Sequence, residues 1–543
     1  MSTSPSRASP SLGSTTKKFR TPSMSRSDAG KDPAIRAKVL AVGGVAGTME
    51  ELTGHKQELR VSMGLGSLLA LTLANVAPST AINGSLGTSL ISGGTVAILW
   101  GWVIVALLIL VVAASLAEMC SAWPHAAGQA LWSFQLAPPR WAPFLSFWTG
   151  WMNIAGGWAL IAAGAYILAD GILALAMAYH PTYAVQSWHL VLVYILALVV
   201  FFVVNLFIVR VLDSMTKGFA VVNLSSVAAT IIALAACAPV KQSPSFVFTS
   251  AGWLNETGWS SRGFVFLLGL LQSGFVFVGI EASAHLCEEA HDAGRLAPIA
   301  VLGGTALVGL TGFCWIIALL FSIQSLDDIL GAAVPVLQIF QDSFGLRGAT
   351  AAFAINLVVL SFATIGILMA SSRAVWSMAR DGGFPLSRAF KKVDKRFDVP
   401  VNALLVQIFV PTILGLIYLG STVIFYAFFQ VAVVGYLSSY FIPIALLLFR
   451  GRDLLPPAYW RLPSTLAKAC NLISLLYITF ISVLFCLPNF YPVTGSNMNY
   501  TSAIVAVVVL IGTVAWYVEV RHKYRGPASA VHVEEDSAKT AEV

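Results

Sequence analysis

Long apolar stretches separated by short polar gaps recur from residue 62 to residue 520. Each is close to the roughly 20 apolar residues that an α-helix needs to cross the hydrocarbon core of a bilayer. The pattern predicts an all-α integral membrane protein with about twelve transmembrane spans, over residues 62–91, 94–118, 143–169, 188–208, 214–238, 263–287, 299–323, 348–371, 401–420, 424–448, 466–488 and 501–520.

Composition and charge support this prediction. Only 10% of the 543 residues are charged, against about 25% in soluble domains. If the amino terminus is inside, most Lys and Arg fall in the gaps on the cytosolic side. Cytosolic loops retain positive charge during insertion, so both termini are expected in the cytosol. The net charge of +7 therefore reflects topology. No stripe of basic and aromatic residues suggests a nucleic-acid partner, and the expected surroundings are the lipid bilayer.

The division of the chain follows from the spans. Residues 1–60 are expected to form a cytosolic amino-terminal tail that is largely disordered, because few apolar residues are present to build a core. The remaining predicted segments are a first group of five helices over residues 61–238, a second group over 263–448, two additional transmembrane helices over 466–520 and a cytosolic carboxyl-terminal tail over 521–543.

The first span contains an internal break, LANVAPSTAINGS, over residues 73–85. Pro78 removes a backbone donor, and an interrupted helix is tolerated in a membrane only where protein or an enclosed cavity covers it. A half-helix that begins near Ser79–Gly84 would direct N–H groups at a carboxylate, while one that ends near Asn75 would offer carbonyls to an ammonium. The alternative is a simple proline kink repaired by Ser and Thr.

The sixth span carries a corresponding interruption, because Gly274, Gly279 and Glu281 lie in the middle of its apolar sequence. Breaks in corresponding positions are typical of transporters built from two inverted halves, with the solute held at the midplane. An acid within a span is expensive and by default functional. Glu281 is predicted to bind a substrate amine or to carry a coupling proton; the alternative is a structural pair nearer the interface.

Four other acidic residues lie at or near the ends of predicted spans. Asp170, near the outer end of the third span, is expected at the membrane interface, and Glu118 in a salt bridge at the cytosolic end of the second span. Glu288 and Glu289 are expected to pair with the basic loop after the eighth span and to latch an inner gate. Glu288 and His291 form a Glu-x-x-His spacing, but no second motif faces it, so neither a metal nor a cofactor is predicted.

Four stretches together resemble the amino acid-polyamine-organocation permeases, and within them the fungal amino-acid/choline/GABA branch. They are APSTAINGS in the first span, SLAEM and the following AGQALW, GIEASAHLCEEAHDAGRLAP in the sixth, and SSRAVWSMARDGGFP after the eighth. The resemblance implies a LeuT-type fold, a five-plus-five inverted repeat with discontinuous helices 1 and 6. The expected substrate-binding residues are Asn75, Ala77, Pro78, Ser79, Thr80, Ala81, Ile82, Phe277, Val278, Gly279, Ile280 and Glu281.

Proton symport is the expected form of coupling, because the chain resembles fungal members that use it. The coupling or gating candidates are Glu281, His285, Glu288, Glu289, Lys217 and Glu118. Relatives of another kind complete a sodium site with hydroxyls of the eighth span, for which Ser361 and Thr364 are available. A third type uses a lysine of the fifth span, which here would be Lys217.

Departures from the family pattern bear on the solute. Choline carriers of this branch often have a tryptophan where this chain has Ala77, and its loss removes an aromatic face for a quaternary ammonium. The remaining aromatic candidates for a cage are Trp148, Trp151, Trp158, Phe275 and Phe277.

The sequence therefore predicts a secondary active transporter that imports a small amine-bearing solute, above all an amino acid or GABA, by alternating access. The alternatives are a choline or polyamine permease of the same branch, or a nutrient receptor that binds without transport. An enzyme is not expected, because no nucleophile–base pair or nucleotide loop is present. The resemblance implies the plasma membrane, with the vacuole as the alternative.

Overall fold

The computed structural model describes residues 63–208 and 212–527, and within these ranges it contains helices and three isolated bridges but no strand. The predicted tail over residues 1–60 and the end of the carboxyl-terminal tail lie outside them. The helices are α1 (Leu65–Val76), α2 (Pro78–Leu90), α3 (Gly94–Ala122), α4 (Gln129–Leu136), α5 (Ala142–Tyr179), α6 (Ser187–Ile208), α7 (Leu212–Cys237), α8 (Pro244–Phe248), α9 (Arg262–Val276), α10 (Ala282–His285), α11 (Ala293–Phe321), α12 (Leu326–Gly331), α13 (Pro335–Arg380), α14 (Ser387–Phe390), α15 (Val401–Ile417), α16 (Thr422–Arg450), α17 (Ser464–Leu484), α18 (Thr501–Ala515) and α19 (Arg521–Lys523).

The all-α membrane fold predicted from the sequence is confirmed. In the described part of the chain, 10 helices are long and apolar enough to span a membrane, with α1 and α2 counted as one. The sixth and ninth predicted spans correspond to the shorter helices α9 and α15. The total of twelve spans and the inverted repeat stay predictions.

The first span is broken at a single residue, Ala77. Its φ of 36° lies in the left-handed region, so α1 ends at Val76 and α2 begins at Pro78. The Ala77 carbonyl accepts hydrogen bonds from the backbone N–H groups of Thr80 and Ala81, at 3.0 and 3.2 Å. The break thus lies just before the polar stretch, and α2 begins one residue before the predicted Ser79–Gly84. Proline fits the first helical position because its missing N–H has no partner there in any case.

The sixth span is interrupted over a longer stretch. Helix α9 ends at Val276, and residues 277–281 form turns before α10 begins at Ala282. Gly279 has a φ of 82°, a conformation that glycine adopts at little cost. Glu281 therefore stands at the amino-terminal cap of α10 rather than on the face of a continuous helix.

The interrupted segments pack in pairs, α1 with α10 and α2 with α9. Neighbouring helices enclose them: α3 packs on α11, and α5 packs on both α13 and α16. Val359 and Ala363 of α13 form a small buried cluster with Ala77. Protein therefore covers the break in the first span, as an irregular backbone at membrane depth requires.

Candidate functional site

Glu281 is the acidic group at the junction of the interrupted helices. Its side chain is only 1% exposed. Asn153 of α5 donates a hydrogen bond to its Oε1 at 3.1 Å, and the hydroxyl of Tyr440 in α16 donates to its Oε2. No Lys or Arg of the described ranges lies within ion-pair distance of this carboxylate. Two neutral donors therefore hold the carboxylate, so it can exchange a proton without breaking an ion pair.

The end of α1 leaves buried polar atoms without partners. In the described residues neither side-chain polar atom of Asn75 has a hydrogen-bond partner, and the same holds for the Ser79 hydroxyl at the start of α2 and the Ser283 hydroxyl in α10. Asn75 lies against α13, where a Cβ on Gly366 would be 2.0 Å from its Oδ1. Buried polar atoms are normally paired. The unpartnered atoms at the breaks could pair with a polar solute.

The other predicted substrate-binding residues divide into two groups. Ala77, Pro78 and Ile82 are buried and nonpolar, Ala81 is half-buried, and the Thr80 hydroxyl donates to the Ala77 carbonyl at 2.9 Å. In the sixth-helix group Val278, Gly279 and Ile280 are buried in the turn. A Cβ on Gly279 would lie 3.8 Å from Leu160 of α5, so this stretch of backbone approaches α5.

Phe277 packs against a neighbouring helix. Its ring is 4.7 Å from that of Trp102 in α3, between centroids, and it is buried. Trp102 in turn donates to the Gly309 carbonyl of α11. Phe277 therefore fills space between α3 and α11, and its role in substrate binding stays a prediction.

The five aromatic residues suggested for a cage lie in separate places, so that interpretation is wrong. Trp151 donates to the Val508 carbonyl of α18 at 3.0 Å, and Trp148 and Trp158 accompany it in the same cluster. Phe275 instead packs against Phe429, at 5.6 Å between centroids. The periodicity of an apolar helix does not reveal which neighbour each ring meets.

A layer of three aromatic rings lies beside a cavity on the predicted external side. Phe429 links Phe275 to Tyr166 of α5, with centroids 5.6 and 5.8 Å apart. The cavity has a volume of about 60 Å³, and Thr80, Asn83 and Asp170 are among the residues that line it. Asp170, which was expected at the membrane interface, is thus one of the residues that line this cavity.

Buried ion pairs close the predicted cytosolic side. Arg373 donates to Glu289 at 2.9 Å, with both side chains almost fully buried, and Arg380 lies 3.4 Å from Glu288. Both arginines belong to the end of α13 rather than to the loop after it. Burial raises the pKa of Glu288, but His125 and Arg380 outweigh it, so that the pKa lies below the usual 4.5.

A small cavity of about 10 Å³ lies between Asn153 and this closed side, lined also by His285, Gln129 and Tyr524. His285 Nδ1 is 2.8 Å from the Ala126 carbonyl, while its Nε2 has no hydrogen-bond partner in the described chain. The Tyr524 hydroxyl lies 2.7 Å from the Ser146 hydroxyl, so the first residues of the predicted carboxyl-terminal tail are packed.

The two remaining gating candidates stand apart from the breaks. Glu118 forms an ion pair with Arg452 and accepts from the Leu462 N–H, a structural arrangement at the end of α3. Lys217 is exposed on the second turn of α7. Asn223 of α7 reaches α1, where it donates to the Leu73 carbonyl at 3.4 Å. Six residues separate it from Lys217, roughly 9 Å along a helix.

Sequence reasoning missed Asn153, Tyr440 and the position of Asp170. A single polar residue within a long apolar helix is the only signal that each gives, and many such residues merely bond to their own helix. Thr364, suggested for a sodium site, is one of these, because its hydroxyl donates to the Leu360 carbonyl at 3.0 Å.

A buried acid beside two interrupted helices is an arrangement typical of membrane transporters. Comparison with known proteins specifies the family: residues 63–511 match the amino acid permease family model, and the chain belongs to that family. It is 31% identical over 497 residues to the choline transporter of Saccharomyces cerevisiae, covering 89% of this chain and 85% of that protein.

Two further relatives are amino-acid permeases. The chain is 30% identical to amino-acid permease BAT1 of Arabidopsis thaliana, covering 88% of this chain and 95% of the permease. It is 28% identical to amino-acid permease 2 of Neurospora crassa, with 80% of each chain covered. The predicted membership of the amino acid-polyamine-organocation superfamily is confirmed, and the protein is an integral membrane transporter.

Proposed function

We propose that this protein imports a small amine-bearing solute across the plasma membrane by alternating access, with a proton as the coupling ion. The solute site lies where the end of α1 and the start of α2 face the turn of residues 277–281. The observation that carries this proposal is the set of buried, unpaired polar atoms of Asn75, Ser79 and Ser283 at these breaks.

Each end of the broken helices offers a different chemistry to the solute. The carbonyl end of α1 carries partial negative charge and suits an ammonium group. The start of α2 carries partial positive charge and suits a carboxylate, although the Ala77 carbonyl already occupies two of its N–H groups. A small amino acid has both groups, and the side-chain amide and hydroxyls supply the remaining hydrogen bonds.

Glu281 is the proposed proton carrier. Asn153 and Tyr440 belong to α5 and α16, whereas Glu281 begins α10. Its two hydrogen bonds therefore join one interrupted segment to the helices that surround it. Protonation weakens a hydrogen bond that a neutral donor makes to a carboxylate. A proton on Glu281 would thus loosen this junction, and its release to the cytosol through the region of His285 would restore it.

The ion pairs of Glu288 and Glu289 are the proposed inner gate. They join the segment after α10 to the end of α13, so the solute leaves toward the cytosol when this contact opens. Rocking of α1, α2, α3, α9, α10 and α11 against α5 and α13 is the motion that this packing supports, since it moves the interrupted helices as a group.

Choline is the second candidate solute. The support for it is the relative from Saccharomyces cerevisiae, a choline transporter that matches over most of both chains. A quaternary ammonium needs no hydrogen bonds and would use the carbonyl end of α1 and aromatic faces. The two candidates differ in whether a carboxylate must be recognised as well.

Uptake in permease-deficient yeast tests the proposal. We expect labelled GABA or choline to accumulate in cells that express this chain, and a proton uncoupler to abolish the accumulation. Competition with unlabelled amino acids would then identify the preferred class. If solute binds to the purified protein but no solute accumulates in vesicles, the nutrient-receptor alternative replaces transport.

A further inference from the structure

The cavity on the predicted external side holds one carboxyl group that has no partner in the described chain. Asp170 of α5 lines it, and the other described lining residues are neutral, including Thr80, Asn83 and Asn356. In residues 63–208 and 212–527 the carboxylate of Asp170 has neither a hydrogen-bond donor nor a cationic partner within reach. A carboxylate in this position attracts cations into the cavity.

The neutral polar groups around the cavity are already engaged. Asn83 donates to Asn356 at 3.3 Å and accepts from Trp315 at 3.0 Å, while Asn356 donates to the carbonyl of Ala352 at 2.9 Å. The Thr80 hydroxyl is bonded to Ala77. These amides are thus fixed in place by other residues, and Asp170 is the group with free capacity to accept a hydrogen bond.

Two aromatic rings complete the lining. Tyr166 is one helical turn before Asp170 on α5, and Phe353 of α13 lies across the cavity wall. Aromatic faces attract organic cations that have lost part of their hydration. One carboxylate, two rings and an absence of basic residues among the described lining form a combination suited to an ammonium group and unsuited to an anion.

We propose that Asp170 forms the centre of an outer subsite for organic cations, which selects the amine end of a solute before it passes the Tyr166 layer to the helix breaks. Thr80 connects the two regions, because it lines the cavity and also belongs to the first turn of α2. The subsite's part in uptake rests on the proposed function, whereas its attraction of cations does not.

Charge-selective labelling of a cysteine tests the subsite without transport. Ala333 is exposed and lines the cavity, so Ala333→Cys is the reporter, with the exposed Cys237 and Cys314 replaced by Ser. Its rate of reaction is measured with a cationic trimethylammonium methanethiosulfonate and with an anionic sulfonate analogue. The same background without Ala333→Cys gives the rate from other thiols.

With Asp170→Asn we expect the ratio of the cationic to the anionic labelling rate to fall about fivefold. This is the effect in water of removing a unit charge roughly 8 Å from the reporter thiol, because that charge attracts one reagent and repels the other. Asp327→Asn removes an exposed carboxylate from α12 on the same side and should leave the ratio unchanged. Tetramethylammonium should slow labelling only when Asp170 is present.

An unchanged ratio in Asp170→Asn, with the reporter still reactive toward the anionic reagent, would overturn the subsite. That reactivity also shows that the variant keeps its cavity. The result does not depend on turnover: a protein that labels as expected but accumulates no solute would refute the proposed function and retain the subsite. A protein that accumulates solute but labels without charge preference would refute the subsite and retain the proposed function.

Discussion

Nε of Arg373 lies 2.9 Å from Oε1 of Glu289, and the two side chains are 1% and 2% exposed. The pair joins the end of α13 to the short helical turn over Cys287–Glu289 that follows α10. A buried charge that loses its partner costs roughly 3–5 kcal/mol, whereas replacing both partners by apolar residues is often neutral.

We therefore expect Glu289→Gln to lower the free energy of unfolding by about 3–5 kcal/mol. The double variant Glu289→Leu with Arg373→Met should recover most of this loss. Thermal unfolding of the purified protein in detergent measures both. A double variant no more stable than Glu289→Gln would show that the ion pair is not what the substitution disrupts.

The Glu288 pair predicts a dependence of stability on pH. Because the folded-state pKa of Glu288 lies below 4.5, its carboxylate contributes stability that is complete above that value and is lost as the pH falls through the folded-state pKa. Glu288→Gln should thus be destabilised relative to the unaltered protein at pH 7, and the difference should shrink as the medium is acidified below about pH 4. A difference that grows on acidification would contradict the direction of the shift.

Tyr440 is predicted to matter through its hydroxyl. Tyr440→Phe keeps the ring but removes a donor to Glu281, and a hydrogen bond to a charged group contributes about 1.5–3 kcal/mol. We expect the maximal rate of proton-driven uptake to fall by about tenfold or more. Tyr194→Phe is the matched control, since it removes a buried tyrosine donor from the Pro411 carbonyl. Equal effects of the two substitutions would indicate a loss of structure in general.

A pair of glycines tests the position of Asn75. In Gly366→Ala the new Cβ would lie 2.0 Å from Asn75 Oδ1, whereas around Gly218 there is nothing within 4 Å of such an atom. Overpacking a buried site costs roughly 1–3 kcal/mol, so Gly366→Ala should raise the KM for uptake at least about fivefold and Gly218→Ala should not. Normal kinetics in both would place the solute elsewhere.

The sequence predicts this site well where one residue changes the backbone. Pro78 and Gly279 mark the interruptions because proline cannot continue a hydrogen-bonded helix and glycine permits positive φ. Glu281 is recognisable because a carboxylate within an apolar span is costly. The exact residue of the first break was not predictable, since Ala77 has no intrinsic preference for its left-handed conformation and adopts it through its neighbours.

Contacts between distant helices could not be predicted in the same way. Asn153 and Tyr440 meet Glu281 across separations of 128 and 159 residues, and no local pattern specifies that encounter. Phe277 was assigned to the site by its place in a motif, yet tertiary packing turns it toward Trp102. Asp170 was assigned to the interface because its position in the third span fits both the interface and a cavity between helices.

In the proposed mechanism Glu281 carries the coupling proton, while the helix breaks bind the solute. The decisive measurement compares the unaltered protein, Glu281→Gln and the exposed-site control Glu256→Gln in proteoliposomes, by solute exchange and by accumulation driven by a pH gradient. We expect Glu281→Gln to retain exchange but to lose accumulation, whereas Glu256→Gln should retain both. Accumulation by Glu281→Gln at the rate of the unaltered protein would contradict the claim, and loss of both activities would place Glu281 in solute binding instead.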